Sequence, residues 1–224
     1  MAAQSIYPLL GVFISTLLIF GVLFLRKRKK ARPVFGPRED YQAWQQEFDT
    51  DMERVTKADI RELMSQINLP PSVFDLFDEK CTDAVMQKHR LDKDYTYPYS
   101  IIDLKKNEQD AYHIDRYKPI LAYAHATIFA YDTLKGGFTT YYIEGDVDVD
   151  GECFTWDGLF CQEILRWWEY EIPDEDILYI GEYFGLKHTS QILDSINAAQ
   201  GFSSEEQRIR WKNETLIKIN GIIK

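Results

Sequence analysis

The chain has 224 residues, a net charge of −10 and 14% aromatic side chains. That aromatic content excludes a disordered chain, and the acidity disfavours nucleic acid as a partner. The charge is unevenly divided. Arg26–Arg38 holds seven basic residues and no acid, which leaves 19 Lys and Arg against 36 Asp and Glu, a charge of −17, in the rest of the chain.

The first element is Ile6–Leu25, 20 consecutive residues without a charge. As a helix it would span about 30 Å, the hydrocarbon thickness of a bilayer. The spacing predicts a transmembrane helix over 6–25. A cleaved signal peptide would carry its positive charge before the apolar core, and here the charge follows it. Arg26, Lys27, Arg28, Lys29, Lys30 and Arg32 then suit anionic lipid headgroups, with residues 26–38 as a basic juxtamembrane linker. By the positive-inside rule the protein is expected at the cell membrane, single-pass, with its C-terminal domain cytoplasmic.

Residues 39–224 are long enough for one domain with a real core. Tyr41, Trp44, Phe48, Met52 and Val55 recur at helical spacing. A second helix is expected from Thr56, with Ile60, Leu63, Met64 and Ile67 on one face and Thr56 with Asp59 as a capping box, ended by Pro70-Pro71. Val73–Leu91 reads as a broken helix. Asp92–Asp110 is turn-rich, with a short strand over Tyr99–Leu104. Ile120–Tyr131 and Phe138–Ile143 alternate as strands around a turn at Asp132–Gly137, and are expected at the centre of an antiparallel sheet. His125 falls within the first of them, in a structural role.

Helices are expected over Trp156–Tyr170, from Pro173 to Gly185, from a cap at Thr189 or Ser190 to Gly201, and from Glu205 to Ile219, the last capped by Ser203 with Glu206. Strands clustered between helices make the domain α+β, a central antiparallel sheet flanked by helices.

Cys81, Cys153 and Cys161 form no C-x-x-C pair and read as reduced core residues. No phosphate-binding loop, nucleophile elbow or zinc motif is present in the sequence, so no catalytic residue, cofactor or metal is assigned. An enzyme with an unrecognised active site is kept as an alternative. Asp146-Val147-Asp148-Val149-Asp150-Gly151 fits the opening of a calcium loop, with Asp157 at its twelfth position, and makes a calcium-dependent adaptor using 146–157 a second alternative. Phe154 at the ninth position and the strand-like segment before the loop oppose it. The Trp167-Trp168 pair reads as core packing, whereas exposed aromatics beside acids would mark a protein-binding face. Glu144, Asp146, Asp148, Asp150 and Glu152 are the candidate partner-binding residues, for a basic protein.

Three stretches, Ile60–Pro70 (IRELMSQINLP), Ile128–Glu144 (IFAYDTLKGGFTTYYIE) and Phe154–Tyr170 (FTWDGLFCQEILRWWEY), together resemble the SUKH superfamily, whose founding members include the yeast cell-wall assembly regulator. The resemblance covers about half of the acidic domain. It implies an α+β binding domain, frequently an immunity protein that neutralises a toxin, and supplies no catalytic residues. Gly136-Gly137-Phe138 and the net charge point more weakly to acidic DNA-mimic-like proteins.

Overall fold

A computed structural model describes residues 54–145, 147–148 and 151–223. The expected membrane span, the basic linker and the expected helix carrying Tyr41 to Met52 lie outside the described residues. No helix among the described residues is long and apolar enough to cross a membrane.

Ten α-helices and six strands make the domain α+β. The helices are α1 (Lys57–Gln66), α2 (Pro71–Phe77), α3 (Ala84–Lys88), α4 (Leu91–Asp94), α5 (Tyr99–Ile102), α6 (Lys106–Gln109), α7 (Trp156–Glu169), α8 (Asp174–Tyr183), α9 (Thr189–Ala199) and α10 (Glu205–Lys218). The strands are β1 (Tyr95–Thr96), β2 (Tyr117–Tyr123), β3 (Thr127–Asp132), β4 (Gly137–Tyr142), β5 (Cys153–Phe154) and β6 (Ile222–Ile223), in one antiparallel sheet with spatial order 1 to 6.

Local chemistry places most of these elements. Thr56 caps α1 as expected: its hydroxyl accepts from the Asp59 N–H, and the Asp59 carboxylate accepts from the Thr56 N–H at 2.7 Å. Pro70-Pro71 separates two helices, with Pro71 opening α2. Pro173 and Gly185 bracket α8, Pro173 as the residue before its first turn and Gly185 at φ +66° beyond its end.

Four expectations are corrected. Tyr99–Leu104 forms a helical turn, since Pro98 precedes it and the Tyr99 and Ile102 amides bond backward to Tyr97 and Pro98. The last helix is capped by Ser204, whose hydroxyl accepts from Gln207, while Ser203 donates to the Gln207 side chain. His188 rather than Thr189 or Ser190 precedes α9.

The fourth correction matters most. Ile120–Tyr131 is not one strand but the β2–β3 hairpin, turning at Ala124–Ala126. Tyr123 pairs with Thr127, four residues on. An even separation leaves both on one face, so alternation runs through the turn as if no turn were there. His125 is therefore exposed in a turn.

The sheet carries side chains on both faces. On one, α7 lays Phe160, Ile164 and Trp167 over Leu121 and Phe129, with Tyr95 and Phe184 closing an aromatic cluster. Trp167 is fully buried, whereas Trp168 is half-buried and donates to Asn197. At roughly 2–3 kcal/mol for each buried large side chain, this cluster is a principal source of stability. On the other face a smaller cluster gathers Ile101, Ile114, Tyr117, Ala122, Ile128, Ala130 and Tyr141. The start of α7 is fixed by the Thr155 N–H donating to Gly221 (2.9 Å), and a Cβ on Gly158 would collide with the Gly221 carbonyl. Only glycine lets α7 and the strand β6 approach this closely.

Candidate functional site

The register puts Tyr95, Tyr123, Thr127 and Tyr142 in one row across the sheet, each opposite the next. Residues directly opposite share a face, here the face that α7 covers. The row runs from buried to exposed. Tyr95 lies in the aromatic core, Tyr123 is half-buried, and Tyr142 is 51% exposed. The last turn of α7 meets the row at Tyr123 through Arg166, and Tyr170, just after it, is 64% exposed and near enough to help raise the Tyr123 pKa.

Beneath this surface is an acid. Glu163 is 4% exposed and accepts from the Tyr95 hydroxyl at 2.5 Å and from Arg166 at 2.6 Å. Burial drives its pKa above the usual carboxylate value, against the opposing pull of Arg166 and the Tyr95 hydrogen bond. Desolvation, and then the nearby Glu163 charge, push Tyr95 well up, so its phenol stays protonated. Arg166 lies over the Tyr123 ring, 4.2 Å from its centroid. Desolvation and then the contact with Tyr170 raise Tyr123 to about 12. Chemically, the trio is a neutral-phenol, carboxyl and guanidinium chain. It lies between Tyr123 and the core, and Glu163 holds Arg166 against the Tyr123 ring.

The backbone at this end is strained. Ala124 and His125 lie at φ +48° and +59°, the pattern of a type I′ turn, which normally calls for Asn or Gly. The Ala126 N–H closes the turn on Tyr123 (3.1 Å), and the Ala124 N–H is held by the Asp94 carbonyl (2.8 Å). Burial also raises the Asp94 side chain's pKa. The exposed Tyr99 ring sits 5.7 Å from that of His125. Three exposed tyrosines, Tyr99, Tyr142 and Tyr170, thus gather around one turn. Sequence reasoning passed over this set. A usable signal was present: Glu163 interrupts an otherwise apolar stripe of Leu159, Phe160, Ile164 and Trp167.

The acidic run lies partly at this end. Glu144 follows Tyr142 and is exposed; Asp148 and Glu152 are exposed too, and Asp146 and Asp150 lie outside the described residues. The run does not stay at one place. Gly151 accepts from Lys135 in the β3–β4 turn, at the opposite end of β4 (2.8 Å). Six residues of strand put those ends roughly 17 Å apart. Asp157, the twelfth position of the calcium reading, spends one carboxylate oxygen on the Lys187 and His188 N–H groups at 2.6 and 2.8 Å. The loop's eighth and ninth positions are the strand β5. No group of three metal-ligating side chains occurs among the described residues.

Compared with protein-family models, curated proteins and solved structures, the chain matches none of them.

Proposed function

We propose that the chain is a membrane-tethered protein-binding module. Residues 6–25 anchor it, Arg26–Arg32 lie against anionic headgroups, and the acidic domain faces the cytoplasm, where it captures a basic protein. The observation that carries the reading is the gathering of exposed tyrosines at one end of a domain of charge −17. Tyrosine is enriched where binding energy concentrates, and acid supplies steering toward a cationic partner. Glu144, Asp146, Asp148, Asp150 and Glu152 contribute to that field. Tethering adds effective concentration at the bilayer.

The resemblance to SUKH proteins extends the proposal to a toxin-neutralising immunity role. Its three stretches correspond to α1, the β3–β4 hairpin and α7. The hairpin carries Thr127 and Tyr142 of the row and α7 covers it, while Tyr95 and Tyr123 lie on β1 and β2 outside the three stretches.

The topology has a direct test. Protease added outside intact cells should leave the domain uncut, and it should be cut once the cells are opened. Digestion from outside would reverse the orientation and place Asn213-Glu214-Thr215, which fits the N-x-[ST] glycosylation pattern, in the modifying compartment. Release of the chain from membranes by salt alone would remove the anchor from the proposal.

A further inference from the structure

We infer that the β2–β3 end of the sheet is the contact face for an arginine- or lysine-bearing protein segment, with Tyr142 and Tyr170 as its main contacts. The inference rests on the binding-module reading and names the surface it would use.

Three observations converge on this end of the sheet. The first is the row itself. A sheet face usually buries its aromatics, yet here burial stops at Tyr123. Thr140 and Tyr142 continue the same face into solvent. Of the four exposed tyrosines among the described residues, Tyr179 is tied to Asp83 across α3 and α8 at 2.7 Å. The other three stand at the β2–β3 end.

The second is rigidity. Arg166 is held between Glu163 and the Tyr123 ring. Arg166 therefore has little side-chain freedom left to lose on binding, which favours a contact that includes it.

The third is charge. The Arg166 cation is met by Glu163 beneath it, whereas the rim carries Glu144 near Tyr142, Glu171 beside Tyr170, and Asp92 and Asp94 of α4, four acids against the exposed cation Arg90. Tyrosine faces and rim carboxylates together favour a cation. A lysine or arginine flanked by apolar residues satisfies both halves. An anionic segment would meet the rim acids.

The experiment uses the full chain in detergent micelles and two fluorescent twelve-residue peptides. One alternates arginine with leucine; the other has glutamate for arginine. Anisotropy should show binding of the arginine peptide and none of the glutamate peptide. Tyr142→Ala and Tyr170→Ala should each weaken the arginine peptide about tenfold, with melting temperature unchanged, because both side chains are exposed. Thr133→Ala, at the far turn, should leave it unaltered.

Equal affinity in the tyrosine variants, equal binding of both peptides, or no binding at all would overturn the face. Failure here is separable from failure of the module reading. If a native partner is cross-linked to the chain and captured equally by both tyrosine variants, the module stands and this surface falls.

Discussion

Two buried carboxylates face arginines at opposite ends of the sheet, and their chemistry diverges. Asp132, 2% exposed, pairs with Arg116 at the β3–β4 turn; Glu163, 4% exposed, pairs with Arg166 beneath the β2–β3 end. The arginines are alike too, 25% and 26% exposed. Yet the Asp132 pKa is lowered and the Glu163 pKa is raised. Depth and donors explain the difference. Asp132 is covered only shallowly, by the turn and the Arg116 side chain. It accepts two bonds from Arg116 (3.0 and 2.8 Å) and one each from the Leu134 and Lys135 N–H groups. Glu163 is deep, and its donors are one phenol and one guanidinium. Desolvation is the largest single influence on each; at Asp132 four donors together outweigh it, and at Glu163 two do not. Asp132 therefore serves as a fixed anion that shapes a turn. Glu163 is a carboxyl poised nearer protonation, beneath the half-buried Tyr123.

The largest test of this contrast is truncation of each acid. Asp132→Ala removes four accepted bonds, two of them from Arg116, and should lower unfolding free energy at neutral pH by about 3 kcal/mol. Glu163→Gln keeps the shape and an acceptor for Tyr95, and should cost only about 1 kcal/mol. Urea unfolding measures both. Equal losses would mean that the two sites are held in the same way.

The pH dependence should separate them by sign. Asp132 has a lowered folded pKa, so its stabilisation is present above the unfolded value of 3.8 and fades as pH falls through the folded pKa. Glu163 has a raised folded pKa. Its stabilisation is complete below 4.5 and fades as pH rises through the folded value, with Tyr95, Tyr123, Arg166 and Tyr170 as its titratable surroundings. Asp132→Asn should therefore remove an acid-side loss of stability. Glu163→Gln should remove a decline on the other side. Urea midpoints between pH 3 and pH 8 decide it; an unchanged profile in Glu163→Gln would show that the carboxyl has the same pKa in the folded and unfolded states.

Much of the fold was legible because its signals were local. The aromatic stripe of α7, the Thr56–Asp59 cap and the Gly136-Gly137 turn each act within a few residues. The two-residue strands β1, β5 and β6 had no such signal, since pairing partners far along the chain define them. The site was less legible for a different reason. Tyr95, Tyr123 and Tyr142 become one row only through strand register, and Glu163 becomes buried only when α7 docks on that row. The acidic run, by contrast, is contiguous in sequence but is drawn out along the edge of β4, with Glu144 at one end and Gly151 near the other turn.

The smallest expected effect sharpens the comparison from the backbone side. The Asp132 turn carries Gly136 at φ +70°, a conformation glycine adopts freely, so that turn is relaxed as well as hydrogen-bonded. The β2–β3 turn places Ala124 and His125 in the left-handed region with no such residue. A left-handed alanine or histidine costs roughly 1–2 kcal/mol relative to a residue suited to it. Neither side chain is buried, so replacing them removes strain without opening a cavity. Ala124→Asn with His125→Gly should stabilise the domain by about 1 kcal/mol, part of the relief being lost to the greater freedom of glycine in the unfolded chain. The same change at the other turn, Leu134→Asn, should do nothing comparable. A gain in urea midpoint accompanied by weaker binding of the arginine peptide would tie the strain to the contact face, because loss of the His125 ring also frees Tyr99. A gain with binding intact would make the strain incidental to that face. No gain would mean that the Asp94 carbonyl and the flanking strands already hold the turn at little cost.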